Sequence, residues 1–533
     1  MKAMKPITRR SFFSTTAAVT AATAAASPSR AQGPSKAARP NILHIMVDQM
    51  QWAAIAQRSI CKTPNINRLA ADGLLFDRSY TPSAVCCPAR AMLITGAYHW
   101  HNGVFNQVHS APSVSRSMFR EVVTYSARLR DAGYRQGYVG KWHADFTRTP
   151  LDFGFDEIAA PGSYNPRLLK GLPTNPDKVE KPADNLKTVV SKTFHWPGSQ
   201  EFPMWGYREG AEEQTNAWYI AECGLQMLKR YAGGKAPWHI EVHFPEPHDP
   251  YLPLKKYLDG YKAEDIPIPE SFRDDFRGKP GMHRREAEAW GSFTEKDVQQ
   301  GRAHYYAWCE QVDAQVGRLL DALDQSGQAG NTIAVFTGDH GDMAGAHRMW
   351  IKGWYPYEDA YRIPMVIRWP GHALAGQKCD RLVSSHDLAH TYVDAGGAAP
   401  LPFSDGLSLL RLMENPGRTD WRDQLLCAFY GGEFLYTQRI AVTRRFKYVF
   451  NGFDFDEFYD LEKDPHEMHN AIEDPAYRTE VDDMRARLYE MMTRFGDPYG
   501  DASQNLSAAQ RDGNPPDRYG APRYLPRGKR TSS

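Results

Sequence analysis

Two short and almost entirely apolar runs along the chain end in acidic residues. Residues 41–47 form the first run, which stops at Asp48, and residues 333–336 form the second, which leads into Asp339 and His340. A continuous apolar run of this length is typical of a strand buried on both faces of a parallel sheet. Ligands of such sheets bind outside the carboxyl ends of the strands, so both acidic residues are predicted to face a binding site.

Amphipathic stretches with helical spacing lie between these runs. Residues 67–75, 126–132 and 305–323 are the clearest examples, and the last places apolar side chains on one face over several turns. Strands that alternate with helices favour the α/β class. We therefore predict a large, mostly parallel sheet sandwiched by helices.

The pattern changes after about residue 420. Residues 446–450 and 453–459 alternate between apolar and polar positions around Asn451-Gly452, a strong hairpin-turn signal. An amphipathic helix is predicted over residues 477–495. This end of the chain is predicted to form a small antiparallel sheet with one helix.

These changes in pattern suggest a division of the chain into four parts. A large α/β domain is predicted over residues 39–420 and an α+β subdomain over 421–499. Residues 500–533 are rich in proline, glycine, serine and charged side chains, so they are predicted to be a flexible tail.

The first 31 residues have the features of an export signal. They contain five basic residues and no acidic ones, and Arg9-Arg10 precedes a mild apolar run over residues 17–26. Small residues at Ser29 and Ala31 suit a signal peptidase. Residues 1–31 are thus predicted to be a twin-arginine signal peptide, which directs the protein to the periplasm or outside the cell.

Charge and cysteine content narrow the function further. The whole chain has 64 basic and 63 acidic side chains, and removal of the signal leaves 59 basic ones, a net charge of about −4. This charge argues against nucleic-acid binding, and no stretch is apolar enough for a membrane span. Seven cysteines are too few for a disulfide scaffold, and the odd number leaves at least one unpaired within a monomer.

One cysteine lies in a segment that suits a nucleophile. In Cys86-Cys87-Pro88-Ala89-Arg90, the proline fits the first turn of a helix. Cys86 would then lie at the helix N-terminus, which attracts anions, with Arg90 one turn further on. Taken alone, the segment is equally explained by two small apolar residues buried at a helix start.

This segment, followed by Ile94-Thr95-Gly96, resembles the signature of type I sulfatases, the formylglycine-dependent family of the alkaline phosphatase superfamily. In that family, the first cysteine of the motif is converted after translation to formylglycine, an aldehyde that works as its hydrate. Cys86 is the matching position, and Ala89 replaces the usual serine. The resemblance covers residues 39–500 and implies an alkaline-phosphatase-like fold, a sulfate ester hydrolase and a formylglycine-generating maturation enzyme as partner.

The resemblance also implies a site for one divalent metal ion. Asp48 and Asp339 match family ligands, and Cys86 would contribute through its modified side chain. Gln49 and His340 replace the acid and amide of many members, and they resemble the choline-sulfatase and phosphonate monoester hydrolase branches. Oxygen ligands favour Ca²⁺, with Mn²⁺ or Mg²⁺ also open, and the imidazole shifts the balance towards Mn²⁺. The simpler interpretation of each aspartate alone is a helix cap after a strand.

Further residues match family segments that handle the sulfate group. Arg90, Lys141 and Lys352 are expected to balance the charge of the sulfuryl oxygens. His248 would protonate the departing alcohol, and His143 would deprotonate the second hydroxyl of the hydrate so that sulfate leaves. In isolation, a lysine and a histidine two residues apart are more often a solvated side chain and a core one.

In the implied mechanism, the metal lowers the pKa of one hydroxyl of the hydrated aldehyde at position 86, and Asp339 helps to remove its proton. Three alternatives stay open. The same machinery would act on phosphonate monoesters or phosphodiesters; the chain would bind sulfated glycans without catalysis; or Cys86 and His143 would form a cysteine hydrolase.

The substrate is not readable beyond an aryl or carbohydrate sulfate. Four aromatic residues within 161–210 and 262–291 either stack on a sugar or aryl ring or fill space under loops: Trp196, Trp205, Tyr207 and Trp290. His347 is a further candidate for the site. The oligomeric state stays open.

Overall fold

The computed structural model describes residues 39–500 except 111–112, 184, 196–199, 353–354, 404, 433–435 and 453. The predicted signal peptide at residues 1–31, Trp196 and the predicted tail beyond residue 500 lie outside the described residues.

The strands within the described part of the chain form three sheets. In chain order they are β1 (Asn41–Val47), β2 (Leu74–Tyr80), β3 (Arg135–Lys141), β4 (Glu157–Gly162), β5 (Lys187–His195), β6 (Glu201–Glu209), β7 (Trp238–Phe244), β8 (Thr332–Gly338), β9 (Met365–Arg368), β10 (Gln377–Ser384), β11 (Gln424–Phe429), β12 (Gln438–Thr443), β13 (Phe446–Asn451) and β14 (Glu457–Asp460).

The α-helices of the same part of the chain vary from one turn to more than eight. They are α1 (Pro64–Ala71), α2 (Cys86–Thr95), α3 (His99–Asn102), α4 (Tyr125–Asp131), α5 (Asn216–Ala232), α6 (Lys255–Leu258), α7 (Gly281–Ala289), α8 (Glu295–Gln325), α9 (Glu358–Tyr361), α10 (Asp387–Ala395), α11 (Leu410–Glu414) and α12 (Arg478–Arg494).

The main sheet has eight strands in the order β10-β2-β9-β8-β1-β7-β3-β4. Only β9 runs antiparallel to its neighbours, β2 and β8. Strands β1 and β8, predicted from their apolar runs, are adjacent, parallel and buried along their whole length. The predicted α/β class with a mostly parallel sheet is confirmed.

Helices cover both faces of this sheet, as the side-chain alternation of β1 illustrates. Leu43 and Ile45 join a hydrophobic core that includes residues of α5 and α8. Ile42 and Met46 point to the other face, where the core includes residues of α2, α4 and α10. Since successive side chains of a strand point to opposite faces, one continuous apolar run supplies both cores.

The C-terminal elements form the predicted antiparallel sheet, in the order β11-β12-β13-β14, with α12 packed on one face. The other face joins the core that contains α5 and α8 through residues such as Leu425 and Ile440. The predicted helix at residues 477–495 corresponds closely to α12. The antiparallel ribbon formed by β5 and β6 was not predicted.

The amphipathic stretch over residues 67–75 is not one helix. Helix α1 ends at Ala71, and β2 begins at Leu74. Gly73 lies between them, where an added Cβ would stand 2.6 Å from the carbonyl oxygen of Ile367. The close approach of β9 therefore requires glycine here and separates helix from strand.

All seven cysteines lie within the described residues, and none of them forms a disulfide. None of the helices in the described part of the chain combines the length and apolar character that crossing a membrane requires.

Candidate active site

The predicted site residues meet at the carboxyl edge of the main sheet. Strands β8, β1, β7 and β3 are consecutive in the sheet and parallel. Their ends therefore bring together side chains from distant parts of the sequence: Asp339 and His340 after β8, Asp48 and Gln49 after β1, His248 after β7, and Lys141 and His143 at the end of β3. Helix α2 adds Cys86 and Arg90 to the same edge.

Cys86 begins helix α2 and is fully buried. Its Sγ lies 3.1 Å from His340 Nε2 and 3.7 Å from Asp48 Oδ1. Burial raises the pKa of the Cys86 thiol, but the charges of Lys352 and Lys141 outweigh this effect and hold that pKa well below its usual value. The position therefore favours an anionic or strongly polarised group.

Arg90 connects the two predicted aspartate ligands. Its Nε donates to Asp339 Oδ2 at 2.8 Å, and one terminal nitrogen donates to Asp48 Oδ2 at 3.0 Å. The other terminal nitrogen donates to the Lys141 carbonyl at 2.9 Å. The side chain is almost fully buried, so the planar guanidinium holds both carboxylates in a defined orientation.

Four of the predicted metal-binding residues form a compact group. Ligand atoms of Asp48, Cys86, Asp339 and His340 all lie within 4.8 Å of one another. Burial, together with the charge of Asp48, raises the pKa of Asp339 to about 6. Around one cation with ligands at 2.3–2.6 Å, neighbouring ligand atoms are roughly 3.3–3.7 Å apart and opposite ones about 4.6–5.2 Å, so the spacing of this group fits a single metal ion.

Gln49 adopts a left-handed backbone with φ of +67°. Its backbone N–H donates to Asp339 Oδ1 at 3.1 Å, while its side-chain Oε1 accepts from Lys352 Nζ at 3.0 Å. Its amide nitrogen donates to Asp249 and Asp342. Gln49 thus connects Lys352 to the carboxylate of Asp339.

Two lysines flank the position of Cys86. Lys141 Nζ lies 2.7 Å from Asp48 Oδ2, and Lys352 Nζ lies 2.7 Å from His248 Nε2. His248 Nδ1 lies 3.1 Å from a carboxylate oxygen of Asp249. Burial lowers the pKa of His248, but the charge of Asp249 and a contact with Cys86 act together against it and raise that pKa overall. The carboxylate therefore favours a protonated imidazole.

His143 follows β3 and lies towards the rim, with a left-handed φ of +53°. Its Nε2 lies 2.8 Å from Nδ1 of His109, an exposed residue that sequence reasoning missed. Burial lowers the pKa of His143 to about 4, so its ring is neutral near neutral pH and can accept a proton.

His347 makes its contacts elsewhere. Its Nδ1 lies 2.7 Å from Asp274 Oδ2, and its ring stacks on Tyr357 with centroids 3.6 Å apart. Neither Asp274 nor Tyr357 belongs to the predicted site, so the described contacts of His347 do not support a role for it in catalysis.

A buried network of polar side chains contacts the backbone of the site at Lys141. The Tyr138 hydroxyl donates to the Lys141 carbonyl at 2.7 Å and lies 2.6 Å from His243 Nδ1. His243 contacts Glu241, which also lies 2.8 Å from His44 and from His239. The signal for this network was polar alternation at positions 239, 241 and 243 of β7, which is unusual for a fully buried strand.

A cleft of about 750 Å³ opens above these residues. It is lined by Lys141, His143, His248 and Lys352 and by residues of the loops around them. Trp205 and Trp290 belong to the hydrophobic core, where both are almost completely buried, and do not line the cleft. For these two aromatics, filling of the core is therefore the correct interpretation.

Comparison with known proteins identifies the family. Residues 40–398 match the sequence model of the sulfatase family, and residues 345–494 match that of the N-sulphoglucosamine sulphohydrolase C-terminal region. The chain belongs to the sulfatase family. The sulfatase is 30% identical to an arylsulfatase of Clostridium perfringens, with 88% of this chain and 97% of the relative covered. A choline-sulfatase of Rhizobium meliloti is 28% identical and is covered over 87% of its length, with 85% of this chain aligned.

The fold of the sulfatase is shared with solved structures of other hydrolases. The phosphonate monoester hydrolase of Agrobacterium radiobacter superposes with a TM-score of 0.69 at 24% identity, covering 86% of this chain and 96% of that one. The alkaline-phosphatase-like fold predicted from the resemblance is confirmed. The chain is a sulfuric ester hydrolase, and the hypothesis of a non-catalytic glycan binder is not supported.

Proposed function

We propose that the sulfatase hydrolyses aryl or carbohydrate sulfate esters through a formylglycine formed from Cys86. The reaction would use one divalent cation, for which Ca²⁺ is the favoured candidate. The observation that carries this proposal is the place of Cys86 Sγ, between His340 Nε2 and Asp48 Oδ1 at the start of a helix. The hydrate of formylglycine supplies one hydroxyl for attack on sulfur and a second that permits expulsion of sulfate.

Asp48, Asp339, His340 and Gln49 would hold the cation together with the modified residue 86. When bound, the cation lowers the pKa of a coordinated hydroxyl and so generates a nucleophile at neutral pH. Gln49 would need a side-chain rearrangement to join the group, because its Oε1 accepts from Lys352.

The remaining residues act on charge and protons. Lys141 and Lys352 line the cleft and would balance the sulfuryl oxygens. Arg90 would hold the carboxylates of Asp48 and Asp339 in place, and its positive charge offsets part of their negative charge. His248, kept protonated by its neighbour, would donate to the leaving oxygen, and neutral His143 would take the proton of the second hydroxyl.

The first experiment is mass spectrometry of the peptide that contains residue 86, from protein co-expressed with a formylglycine-generating enzyme. We expect the aldehyde at position 86 and an intact thiol at Cys87. Hydrolysis of p-nitrophenyl sulfate should be abolished in Cys86→Ala. An active protein with only an intact thiol at position 86 would contradict the proposal.

Phosphonate monoester or phosphodiester hydrolysis is the second candidate, supported by Gln49 and His340 at the metal positions. Matched p-nitrophenyl sulfate, phosphodiester and phosphonate substrates separate the two. We expect the highest kcat/KM for the sulfate, and a clear preference for the phosphonate would favour the second candidate.

Export of the sulfatase is also part of the proposal. Residues 1–31 would act as a twin-arginine signal, ahead of a catalytic domain over 39–420, a subdomain over 421–499 and a flexible tail. Replacing Arg9 and Arg10 together by lysine should retain the protein in the cytoplasm, as measured by fractionation of the host cells. Unchanged export would contradict the assignment.

A further inference from the structure

His143 has a partner in a loop to which the proposed function gives no role. This partner, His109, lies between α3 and α4 and lines the cleft. Its Nδ1 is 2.8 Å from Nε2 of His143, and the two ring centroids are 4.7 Å apart. Two nitrogens that bind one zinc ion at about 2.0–2.1 Å would be roughly 3.3 Å apart, so the shorter distance found here is that of a hydrogen bond between the rings.

The loop that presents His109 is anchored beside it. Val108 is only 1% exposed and packs in the core that contains residues of α2, α4 and α10. Asn106 is also buried, and its Oδ1 accepts from the backbone N–H of Val114 at 3.0 Å. His109 itself is exposed. Its buried neighbours therefore fix the backbone of the loop, and replacement of the exposed imidazole is not expected to disturb the fold.

His143 also contacts residue 86. Burial has the largest effect on the pKa of His143, which it lowers, and a hydrogen-bond contact with Cys86 acts in the opposite direction. Within the described residues, Nδ1 of His143 has no aligned hydrogen-bond partner. Since His109 occupies Nε2, Nδ1 is the ring nitrogen that is left to accept a proton from the hydrate at position 86.

We propose that His109 is a positioning residue, which accepts the Nε2–H of His143 and so keeps Nδ1 as the base for sulfate release. A neutral imidazole carries one N–H, and the hydrogen bond at one nitrogen decides which nitrogen holds it. If His109 donated instead, Nδ1 of His143 would carry the proton and could not act as a base. The inference rests on the proposed sulfatase function and adds a residue to it.

The step concerned is the second half of the reaction. The O–H bond of the remaining hydroxyl at position 86 breaks, and its electron pair forms the C=O bond of the aldehyde. The C–O bond to the sulfate group breaks, and sulfate leaves with that electron pair. The proton moves to Nδ1 of His143 and then to water, and a water molecule rehydrates the aldehyde. Because the alcohol has already left, a poorly oriented His143 slows sulfate release and not alcohol release.

The kinetic test compares p-nitrophenyl sulfate hydrolysis by the wild type, His109→Leu and His109→Asn. Leucine removes the acceptor, whereas asparagine places its Oδ1 near the position of the histidine Nδ1. His109→Leu should lower kcat and KM together by about 3–10-fold, the effect of one neutral hydrogen bond, and leave kcat/KM within about twofold. His109→Asn should recover most of kcat. Ser110→Ala, which removes a hydrogen bond to the Gln107 carbonyl in the same loop, is the matched control and should behave as the wild type.

A second measurement does not depend on turnover. Full-length Cys86→Ala protein with isotope-labelled histidine should show, by NMR, an exchange-protected imidazole N–H that is lost when His143 is also replaced. The signal should persist when His109→Asn is added, because the amide oxygen accepts, and should vanish with His109→Leu. Loss of the signal in the asparagine variant would mean that His109 is the donor, which would overturn the inference.

The outcomes separate this inference from the proposed function. Absence of formylglycine and of p-nitrophenyl sulfate turnover in the wild type would count against the proposed function, and the NMR comparison would still test the hydrogen bond. In an active enzyme, wild-type kcat in His109→Leu would overturn the inference. A fall in kcat/KM as large as that in kcat would also overturn it, because His109 would then act before the alcohol leaves.

Discussion

Replacement of Arg90 by lysine tests how far the buried guanidinium organises the site. Arg90 donates at 2.8 Å to Asp339, at 3.0 Å to Asp48 and at 2.9 Å to the Lys141 carbonyl. A lysine side chain has a single ammonium nitrogen, so it cannot donate to these three acceptors with the planar geometry of a guanidinium. The variant should therefore lose at least one charge-assisted hydrogen bond to a buried carboxylate.

The size of the effect follows from that loss. A hydrogen bond to a charged group contributes about 1.5–3 kcal/mol. Since each 1.36 kcal/mol is tenfold in rate, kcat/KM should fall by roughly 10–150-fold if the orientation of both aspartates matters in the transition state. The assay is p-nitrophenyl sulfate hydrolysis, with rates divided by the formylglycine content measured for each protein.

A matched variant separates this effect from a general loss of stability. Arg439 is equally buried and forks onto Asp497, outside the predicted site. Arg439→Lys should lower the denaturation midpoint but leave kcat/KM of the folded protein within about twofold. The reasoning is refuted if Arg90→Lys retains more than a third of wild-type kcat/KM, or if Arg439→Lys loses as much.

Further variants and removal of the metal test other parts of the structure. Cys87→Ala should keep most of the activity, because burial and the charge of Cys86 raise the pKa of the Cys87 thiol and leave it unreactive; loss equal to that of Cys86→Ala would contradict this. Lys447→Met should lower the free energy of unfolding by about 3–5 kcal/mol in chemical denaturation, because it leaves buried glutamates without their cation, and adding Glu467→Gln should restore part of the loss. Chelation should abolish turnover until Ca²⁺ or Mn²⁺ is returned, and Asp48→Asn should reduce metal content by elemental analysis; full turnover after complete metal removal would refute both.

Part of the site was predictable because its signals are local. Each of Asp48 and Asp339 ends an apolar strand, and the rule that parallel sheets bind ligands at their carboxyl edge places both on one side. The helix start at Cys86 was likewise predictable from Pro88. The roles in catalysis came from the family resemblance and stay predictions.

Other features depend on contacts between distant segments. Cys86 and His340 are 254 positions apart, and Gln49 and Lys352 are 303 apart, so no local pattern indicates that their side chains touch. The tertiary structure also decided that Trp205 belongs to the core and that Lys352, far along the chain from Cys86, lines the same cleft as Lys141.

The sequence by itself determined the class of fold, the positions where strands end and the motif of a sulfatase, because burial periodicity and backbone preference act over a few residues. Strand order and loop packing decided which polar groups are paired and which remain available to a substrate. That distinction depends on close packing and hydrogen-bond satisfaction across the whole chain.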